Sequence, residues 1–292
     1  MRVLVFDIGG TSIKHGICTD NQLEDVKETP TNAKLGGSHV MNTVIEIIRK
    51  ESDYDAIGIS TAGQVDSEEG SIIYANSNIP GYTGTQIRRE LEELFHVPVK
   101  VENDVNSAAL GEAIYGAGKD FDNFLCLTYG TGVGGAIIQD KAVYHGSSFS
   151  AGEFGAIVVH GTAKASGSDY FDGCYERYAS TTALVKAAMA YDSSLDNGRK
   201  IFAHLDDPKV QEILDNWVME IVLGLTTLTH IFNPSCIILG GGIMEQPYVL
   251  EKVNEKFYQN IMPSFSHVKL KNASLGNKAG LLGANYLASN AK

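Results

Sequence analysis

Few cysteines occur in the sequence, and their spacing excludes several classes of small protein. The 292 residues include four, at Cys18, Cys126, Cys174 and Cys236, and no two of them form a CxxC pair. Cys126 and Cys236 lie in apolar, strand-like runs, where a thiol is usually a core residue. This distribution does not suit a disulfide-stabilised secreted domain, and it indicates a reducing, cytoplasmic compartment.

Positive charge is also scarce. The sequence has 23 Lys and Arg against 35 Asp and Glu, which gives a formal net charge of −12. An extended nucleic-acid surface needs clustered Lys and Arg, so we expect no nucleic-acid partner. An anionic nucleotide is still compatible with this charge, because backbone amides and a bound Mg²⁺ can hold phosphate.

Long apolar runs are missing as well. None reaches the length that crosses a membrane, and the sequence starts directly on a strand-like run, so we expect neither a membrane anchor nor a signal peptide. The composition is otherwise that of a globular protein, with 43% hydrophobic residues. Glycine is plentiful at 31 residues, which predicts many tight turns and close approaches of the backbone to ligands.

Strand-like and helical patterns alternate along the chain, which is typical of an α/β fold. Apolar runs predict strands at Arg2–Phe6, Ala56–Ser60 and Phe124–Thr128, and helical spacing predicts a long amphipathic helix over Val210–Phe232. A closing helix over Lys278–Ala288 is rich in small residues and is expected to pack closely on a neighbour. The length of the chain predicts about two domains.

Two glycine turns have the same layout, each lying between two strands. Residues 7–14 read DIGGTSIK and residues 129–135 read YGTGVGG. The amides of Gly10 and Thr11 are placed to face a phosphate, and Asp7 is placed to hold a metal ion or its water. The two turns could therefore clamp one phosphate chain from two sides. The alternative interpretation is two unrelated β-turns, with Asp7 as an ordinary turn residue.

Besides the two glycine turns, the sequence has a polar cluster that follows a short strand ending at Val101. Glu102, Asn103 and Asp104 come directly after it, and the chain then becomes helical. Open α/β sheets bind ligands at the carboxyl ends of their strands, so Asp104 is a candidate general base. The alternative is that Asn103 or Asp104 only caps the helix.

The motifs occur in the order DIGGT from Asp7, ENDVN from Glu102, GTGVGG from Gly130, GEFG from Gly152 and GGG from Gly240. This combination resembles the ROK family of sugar kinases, within the actin-like ATPase and hexokinase group. The resemblance implies a two-domain α/β fold of the actin-like ATPase (ribonuclease H-like) type, with an active-site cleft between the domains. Residues 1–115 with 277–292 would form the small domain and carry the first phosphate loop. Residues 116–276 would form the larger domain, with the second phosphate loop and the adenosine site.

The resemblance also implies an activity. A member of the family transfers the γ-phosphate of ATP, with Mg²⁺, to a sugar hydroxyl, here expected to be the 6-hydroxyl, and we expect a homodimer. The family includes repressors that usually carry an N-terminal helix-turn-helix domain. Because the first strand begins at Arg2, the sequence favours a kinase. A sugar-sensing regulator and a sugar-independent ATPase are the rival interpretations. Intact phosphate loops argue against the regulator, and the END and GEFG segments argue against the ATPase.

Carried over residue by residue, the resemblance divides the site into parts. The expected ATP-binding residues are Asp7, Gly9, Gly10, Thr11 and Lys14 in the first loop, Thr131, Gly132, Gly134 and Gly135 in the second, and Gly240, Gly241 and Gly242 near the adenosine. The expected sugar-binding residues are Gly63, Asn103, Asp104, Glu153 and Glu176, with Asp104 as the catalytic base. Mg²⁺ is expected with ATP near Asp7.

The sequence departs from the family where many members bind a structural zinc. Their histidine corresponds to Ala156, and their three cysteines correspond to Gly167, Asp169 and Cys174. One soft ligand cannot form such a site, so we expect no structural zinc. The missing histidine commonly helps to bind the sugar near its first two carbons. The chain therefore resembles the zinc-lacking branch, which includes N-acetylmannosamine kinases and β-glucoside kinases. N-acetylmannosamine is the favoured substrate, and glucose or a β-glucoside is the alternative.

Overall fold

The computed structural model describes residues 1–161, 169 and 171–290. Contacts divide the chain into two compact units. The first consists of Met1–Asp122, Ile137–Ala151 and Asn277–Lys292, and the second of Asn123–Ala136 and Gly152–Gly276. The sequence placed all of 116–276 in one domain, whereas the structure groups 116–122 with the first unit, and also 137–151. The reason is local, since this segment hydrogen-bonds to the first unit, for example from His145 to Glu102.

The strands carry the apolar runs of the sequence. In chain order they are β1 Arg2–Ile8, β2 Ser12–Thr19, β3 Gln22–Pro30, β4 Ala56–Thr61, β5 Gln64–Asp66, β6 Ser71–Tyr74, β7 Val99–Asn103, β8 Phe124–Tyr129, β9 Val133–Gln139, β10 Ala142–Val143, β11 Cys236–Gly240 and β12 Lys269–Asn272.

The helices alternate with these strands. In chain order they are α1 Gly37–Ile48, α2 Ile87–Phe95, α3 Asp104–Tyr115, α4 Glu176–Ala179, α5 Thr181–Tyr191, α6 Gly198–Phe202, α7 Pro208–Phe232, α8 Pro247–Asn260 and α9 Ala279–Ser289. In the described part of the chain, no helix combines the length and the apolar character that would let it cross a membrane.

The first unit is built on a five-stranded sheet in the order β3-β2-β1-β4-β7. Strands β1, β4 and β7 are parallel, and β2 and β3 are antiparallel neighbours on one side. Strand β4 is buried along its whole length, and Val40, Val44 and Ile48 of α1 contribute to the same core. Because β1, β4 and β7 run in one direction, their carboxyl ends lie at one edge of the sheet.

Helix α9 completes the first unit, and its small residues let it approach α3 closely. A Cβ atom added at Gly111 of α3 would overlap the carbonyl oxygen of Ala279, and one added at Gly283 would overlap that of Ser107. Helix α9 also packs on β1 and β4. The predicted close packing of the closing helix is therefore confirmed, and only glycine permits these backbone contacts.

The second unit contains a sheet in the order β9-β8-β11-β12, in which β8, β11 and β12 are parallel. Strand β9 continues past Ala136 into the first unit, where it pairs with β10. Helix α7 begins after Asp207, whose side chain caps it by accepting from the Lys209 amide at 2.8 Å. One face of α7 is buried, with Trp217, Ile221 and Leu225 among its core residues, as its apolar spacing predicts.

Candidate active site

Asp7 lies near the carboxyl end of β1, at the ligand-binding edge of the first sheet. Its carboxylate is partly buried, and the Ser60 hydroxyl donates a hydrogen bond to its Oδ1 atom at 2.8 Å. Burial raises the pKa of Asp7, and the Ser60 bond and the nearby charge of Lys14 act in the opposite direction. A buried carboxylate that is costly to ionise is stabilised by a cation beside it.

The turn after Asp7 is exposed at its tip and fixed at its base. The Gly9 amide donates to the Ser12 carbonyl oxygen at 3.0 Å, which closes the turn. Thr31 holds the turn with two bonds, from its hydroxyl to the Gly9 carbonyl at 2.7 Å and from its amide to the Thr11 carbonyl at 3.0 Å. A Cβ atom at Gly10 would meet nothing within 4 Å, so a ligand can approach the backbone there.

Lys14 lies opposite Asp7 in the antiparallel pairing of β1 and β2. Its Nζ atom donates to Oδ1 of Asn277 at 3.4 Å, and its charge favours the ionised form of Asp7. The structure therefore brings Asp7, the glycine turn and Lys14 together, as the sequence motif predicts. Their contact with ATP stays a prediction.

The junction between β7 and α3 holds Asn103 and Asp104. Asn103 is the N-cap of α3, because its Oδ1 atom accepts from the amides of Val105 and Asn106 at 2.9 and 3.1 Å. Its Nδ2 atom donates to the Gly63 carbonyl at 2.8 Å and to Oδ1 of Asp104 at 3.0 Å. All four hydrogen-bonding positions of this amide are used, so a direct bond to a sugar would have to replace one of them.

Asp104 is the first residue of α3. Its Oδ1 atom accepts from the Val105 amide at 2.9 Å and from Asn103. Burial, followed by repulsion from Asp7, raises the pKa of Asp104 to about 6, against the opposing effect of these hydrogen bonds. A carboxylate of this kind is ionised at neutral pH and is more basic than an ordinary aspartate, which suits a general base. Of the two residues considered as the cap of this helix, Asn103 is the one that caps it in the structure.

Gly63 forms the turn between β4 and β5. Its φ is +102°, in the left-handed region that favours glycine, and its carbonyl oxygen accepts the bond from Asn103. Gly63 is thus tied to the Asn103–Asp104 pair through backbone geometry. Its predicted contact with a sugar stays a prediction.

The residues around Asp7 fit a magnesium ion. Mg²⁺ prefers oxygen ligands and is commonly bound by one or two carboxylates together with substrate phosphates and water. Asp7 offers one partly buried carboxylate beside the exposed glycine turn. Within residues 1–161, 169 and 171–290, no group of three or more His, Cys, Asp or Glu side chains is arranged to hold a metal ion. A protein-only cage is therefore not formed by the described residues, and phosphate oxygens would have to supply ligands.

The region predicted to lack zinc is only partly described. Ala156 is exposed, Asp169 pairs with Arg177, and Cys174 is buried. Gly167 lies outside the described residues. The absence of a structural zinc stays a prediction that metal analysis must test.

The second glycine turn lies between β8 and β9, in the second unit. The Gly130 amide donates to the Gly132 carbonyl at 3.0 Å. Thr181 holds the turn in the way that Thr31 holds the first, with its amide donating to the Gly130 carbonyl at 3.0 Å and its hydroxyl donating to the Tyr129 carbonyl at 3.3 Å. Each turn is thus fixed by one threonine that uses both its amide and its hydroxyl.

Glu176 lies directly against this turn. A Cβ atom at Gly132 would collide with its Oε2 atom, so a side chain there would displace the carboxylate. Burial raises the pKa of Glu176, the Val133 amide acts in the opposite direction, and the exposed Glu153 adds repulsion. Gly135, by contrast, makes room for the Phe154 ring. The assignment of Glu153 and Glu176 to sugar binding stays a prediction.

A pocket with a volume of about 430 Å³ opens beside the second turn. Its lining residues are Tyr129, Gly130, Thr131, Thr181, Thr182, Val185, Gly242 and Ile243. Thr131 and Gly242 were expected near ATP, and Gly241, with φ of +99°, forms the bend before Gly242. Gly134 and Gly240 lie within β9 and β11.

Sequence reasoning missed the contribution of α5 to this pocket. Thr181, Thr182 and Val185 all belong to that helix, and Ser180 caps it by accepting from the Ala183 amide at 3.2 Å. The missed signal is the run Ser180-Thr181-Thr182, which is typical of a helix start. A helix start at a pocket wall favours an anionic ligand, because the positive end of the helix dipole lies there.

The features described so far are those of an actin-like ATPase: two α/β units, each with a glycine turn between two strands, a carboxylate at the end of a parallel strand, and a pocket beside the second turn. The sequence pattern of the ROK family matches residues 3–291. The chain belongs to the ROK family.

Similar proteins of known name include several sugar kinases. The chain is 31% identical over 295 residues to a β-glucoside kinase of Listeria innocua, covering 98% of this chain and 97% of that one. It is similar to the solved structure of a ROK family glucokinase from Streptomyces griseus in complex with glucose and AMPPNP, with a TM-score of 0.84, 29% identity and full coverage of both chains, 100% each. It is also similar to the Lmo2764 protein of Listeria monocytogenes, a candidate N-acetylmannosamine kinase, with a TM-score of 0.89, 28% identity and 98% coverage of each chain.

Proposed function

We propose that this protein is an ATP-dependent sugar kinase that transfers the γ-phosphate to the 6-hydroxyl of a hexose or N-acetylhexosamine, with N-acetylmannosamine as the favoured acceptor. The observation that carries the proposal is the state of Asp104. Its pKa is raised to about 6 and its Oδ1 atom is held by the Val105 amide and Asn103. The similarity to sugar kinases over nearly the whole chain supports the same conclusion.

Phosphoryl transfer depends mainly on positioning and on neutralising charge. In the proposed reaction, Asp104 accepts the proton of the attacking sugar hydroxyl, which contributes about 10²–10⁴-fold to the rate. Asn103 holds the Asp104 carboxylate and the Gly63 turn in fixed positions. Each threonine-anchored turn carries backbone amides of the kind that bind phosphate. Mg²⁺, when bound beside Asp7, would neutralise the charge that the phosphates carry.

The choice of acceptor rests on Ala156. This residue ends a short 3-10 turn that begins at Phe154, directly after Glu153, and its side chain is exposed. A methyl group here leaves space that an imidazole would fill, and the space would admit an N-acetyl group. Glucose would instead leave one hydroxyl without a protein partner, at a cost of about 0.5–1.5 kcal/mol. A β-glucoside is the second acceptor class, and the 31% identity to a β-glucoside kinase favours it.

The test is a comparison of kcat/KM for ATP-dependent phosphorylation of N-acetylmannosamine, N-acetylglucosamine, glucose, mannose, fructose and cellobiose. We expect N-acetylmannosamine to give the highest value, and the Asp104→Asn variant, as the control, to phosphorylate none of them at a comparable rate. A clear preference for glucose would support the glucokinase interpretation instead. Sugar binding by calorimetry without any phosphoryl transfer would contradict catalysis and support a sugar-sensing regulator.

A second measurement fixes the position of transfer. The product formed from the preferred sugar can be analysed by ³¹P-coupled NMR, which identifies the carbon that bears the phosphate. We expect coupling to the protons on carbon 6. Coupling to the carbon 1 proton would show that Asp104 faces a different hydroxyl from the one proposed.

A further inference from the structure

Glu102 is a buried carboxylate that sequence reasoning treated only as part of a motif. Its side chain is 1% exposed, although it immediately precedes the partly exposed Asn103 and Asp104. Its Oε1 atom accepts from the Asn103 amide at 2.8 Å and from Nδ2 of Asn106 at 3.1 Å. One oxygen of Glu102 therefore fixes both the last residue of β7 and the first turn of α3.

The second oxygen of Glu102 is held by His145, a residue 43 positions further along the chain. Its Nε2 atom lies 2.7 Å from Oε2 of Glu102, and the Ser67 hydroxyl lies 3.2 Å from the same nitrogen. The bond to Glu102 raises the pKa of His145, which corresponds to Nε2 as the hydrogen-bond donor and Oε2 of Glu102 as the acceptor. All of these residues belong to the first unit.

The surroundings of His145 favour its charged form. The hydrogen bond to Glu102 raises the pKa of His145 most strongly, burial acts in the opposite direction, and the charges of Glu102, Glu68 and Asp66 raise it further. The ring also contacts Phe149, with centroids 5.8 Å apart, and the His145 carbonyl accepts from the Ala151 amide at 3.1 Å. His145 is thus fixed by its own loop and presents an N–H donor to a buried carboxylate.

We propose that His145 is a positioning residue for the Asn103–Asp104 pair and acts on it through Glu102. The proposal rests on the function proposed above, because it names what holds the base of that reaction in place. His145 need not touch either substrate. His145 fixes one oxygen of Glu102, and the other oxygen accepts from the backbone amide of Asn103. The side chain of Asn103 in turn holds Asp104.

The chain of contacts predicts a loss of alignment when His145 is removed. A buried carboxylate oxygen without a donor is strongly disfavoured, so Glu102 must reorient towards another group. Any rotation of its carboxylate also changes the bonds of Oε1 to the Asn103 amide and to Asn106. A small displacement of a base costs rate rather than binding, because proton transfer and in-line attack require a narrow geometry.

Two substitutions of His145 test whether its hydrogen bond to Glu102 is what matters. His145→Ala removes the donor, whereas His145→Gln keeps an N–H group that can reach the carboxylate without carrying a charge. The matched control is His160→Gln in the second unit. His160 also pairs with a glutamate at 2.7 Å, through Nε2 to Oε2 of Glu220. The control therefore alters the same kind of pair, in the same way as His145→Gln, away from the β7–α3 junction.

In kinetic assays we expect His145→Ala to lower kcat about 10- to 100-fold, with little change in the KM for ATP. His145→Gln should recover a large part of that loss, and His160→Gln should keep the wild-type kcat. Melting temperatures of all three variants show whether the proteins are folded. An unchanged kcat in folded His145→Ala, or equal losses in His145→Ala and His160→Gln, would overturn the positioning role.

A second readout does not depend on kinase activity. The ¹³C signal of the Asp104 carboxyl, assigned with the Asp104→Asn variant, can be titrated in the wild type and in each variant. We expect His145→Ala to move the midpoint of this titration and His160→Gln to leave it in place. An unmoved midpoint in His145→Ala overturns the proposal. If the wild type phosphorylates no sugar while the midpoint still moves, the proposed function fails and the positioning of Asp104 by His145 stands.

Discussion

Replacing Asp104 by asparagine is expected to inactivate the protein and, at neutral pH, to stabilise it. The reason is that the folded protein holds this carboxylate where its charge is unfavourable. Burial and repulsion from Asp7 raise the pKa of Asp104 from 3.8 to about 6. Asparagine has no charge, and its Oδ1 atom can still accept from the Val105 amide and from Asn103.

The expected gain in stability follows from the size of the pKa shift of Asp104. A difference of one pKa unit corresponds to about 1.4 kcal/mol, so a shift of about two units corresponds to at most about 3 kcal/mol. Asp104 is partly exposed, and solvent screening reduces this value, so we expect a gain of about 1–2 kcal/mol. In a protein of this size, that gain raises Tm by about 2–8 °C.

The stability that Asp104→Asn gains over the wild type must increase as pH rises. Below about pH 4 the carboxyl group is protonated in both the folded and the unfolded chain, so the wild type and the variant are equally stable in this respect. As pH rises from 4 to 6, the unfolded chain releases the proton before the folded chain does, and the wild type loses stability. The difference between the two proteins therefore appears over this range and is complete above about pH 6.

The assay is thermal unfolding of wild type and Asp104→Asn at pH 4 and pH 8. Asp192→Asn is the control, because Asp192 is exposed and hydrogen bonds to Ser194 lower the pKa of Asp192. This control should give no stabilisation at either pH. A lower Tm of Asp104→Asn at pH 8, or an equal gain at both pH values, would refute the argument from burial and repulsion.

Three other outcomes test separate parts of the site. Gly132→Val should weaken ADP binding in calorimetry about tenfold or more, because the new side chain displaces Glu176 and blocks the backbone; unchanged affinity would contradict the role of the second turn. Gly280→Ala should lower activity more than Tm, because its Cβ atom would lie 3.1 Å from Oδ1 of Asp7; an activity loss no larger than that of Gly161→Ala, a glycine with open space around it, would contradict this. Metal analysis of protein purified without added zinc should find well under one equivalent, because Ala156 and Asp169 stand where ligands are expected, and a stoichiometric amount would show that the region is misread.

The sequence predicts the buried elements well, because burial leaves a clear apolar pattern. The strands β1, β4, β8 and β11 and the long helix α7 are confirmed within one to a few residues. The sequence missed β3 and β12. Strand β3 is mostly exposed along its length, and β12 reads Lys-Leu-Lys-Asn at the edge of its sheet. Edge strands carry charges that prevent further pairing, so their sequences lack the alternation that identifies a strand.

The candidate site also contains residues that the sequence predicts and residues that it misses. The glycine turns and the Asn103–Asp104 pair were predictable, because each motif places its chemistry within a few consecutive residues. The anchors of the turns, Thr31 and Thr181, were not predictable, since each lies about 20 to 50 residues away from the carbonyl groups that it holds. His145 was missed for the same reason. Its role depends on the grouping of 137–151 with the first unit, which the chain order does not reveal.

The packing of α9 on β1, β4 and α3 has a consequence for biosynthesis. The ribosome makes the strands that carry Asp7 and Ser60 early, but Gly280, which lies against both side chains, belongs to the last described helix. At ordinary rates of translation, roughly 10–30 s pass between the end of Met1–Asp122 and the emergence of α9. Throughout this interval the faces of β4 and α3 that α9 covers are exposed in the nascent chain. The carboxylate of Asp7 reaches its final environment only when α9 docks, so in a nascent chain the surroundings of Asp7 are completed after most of the second unit has been synthesised.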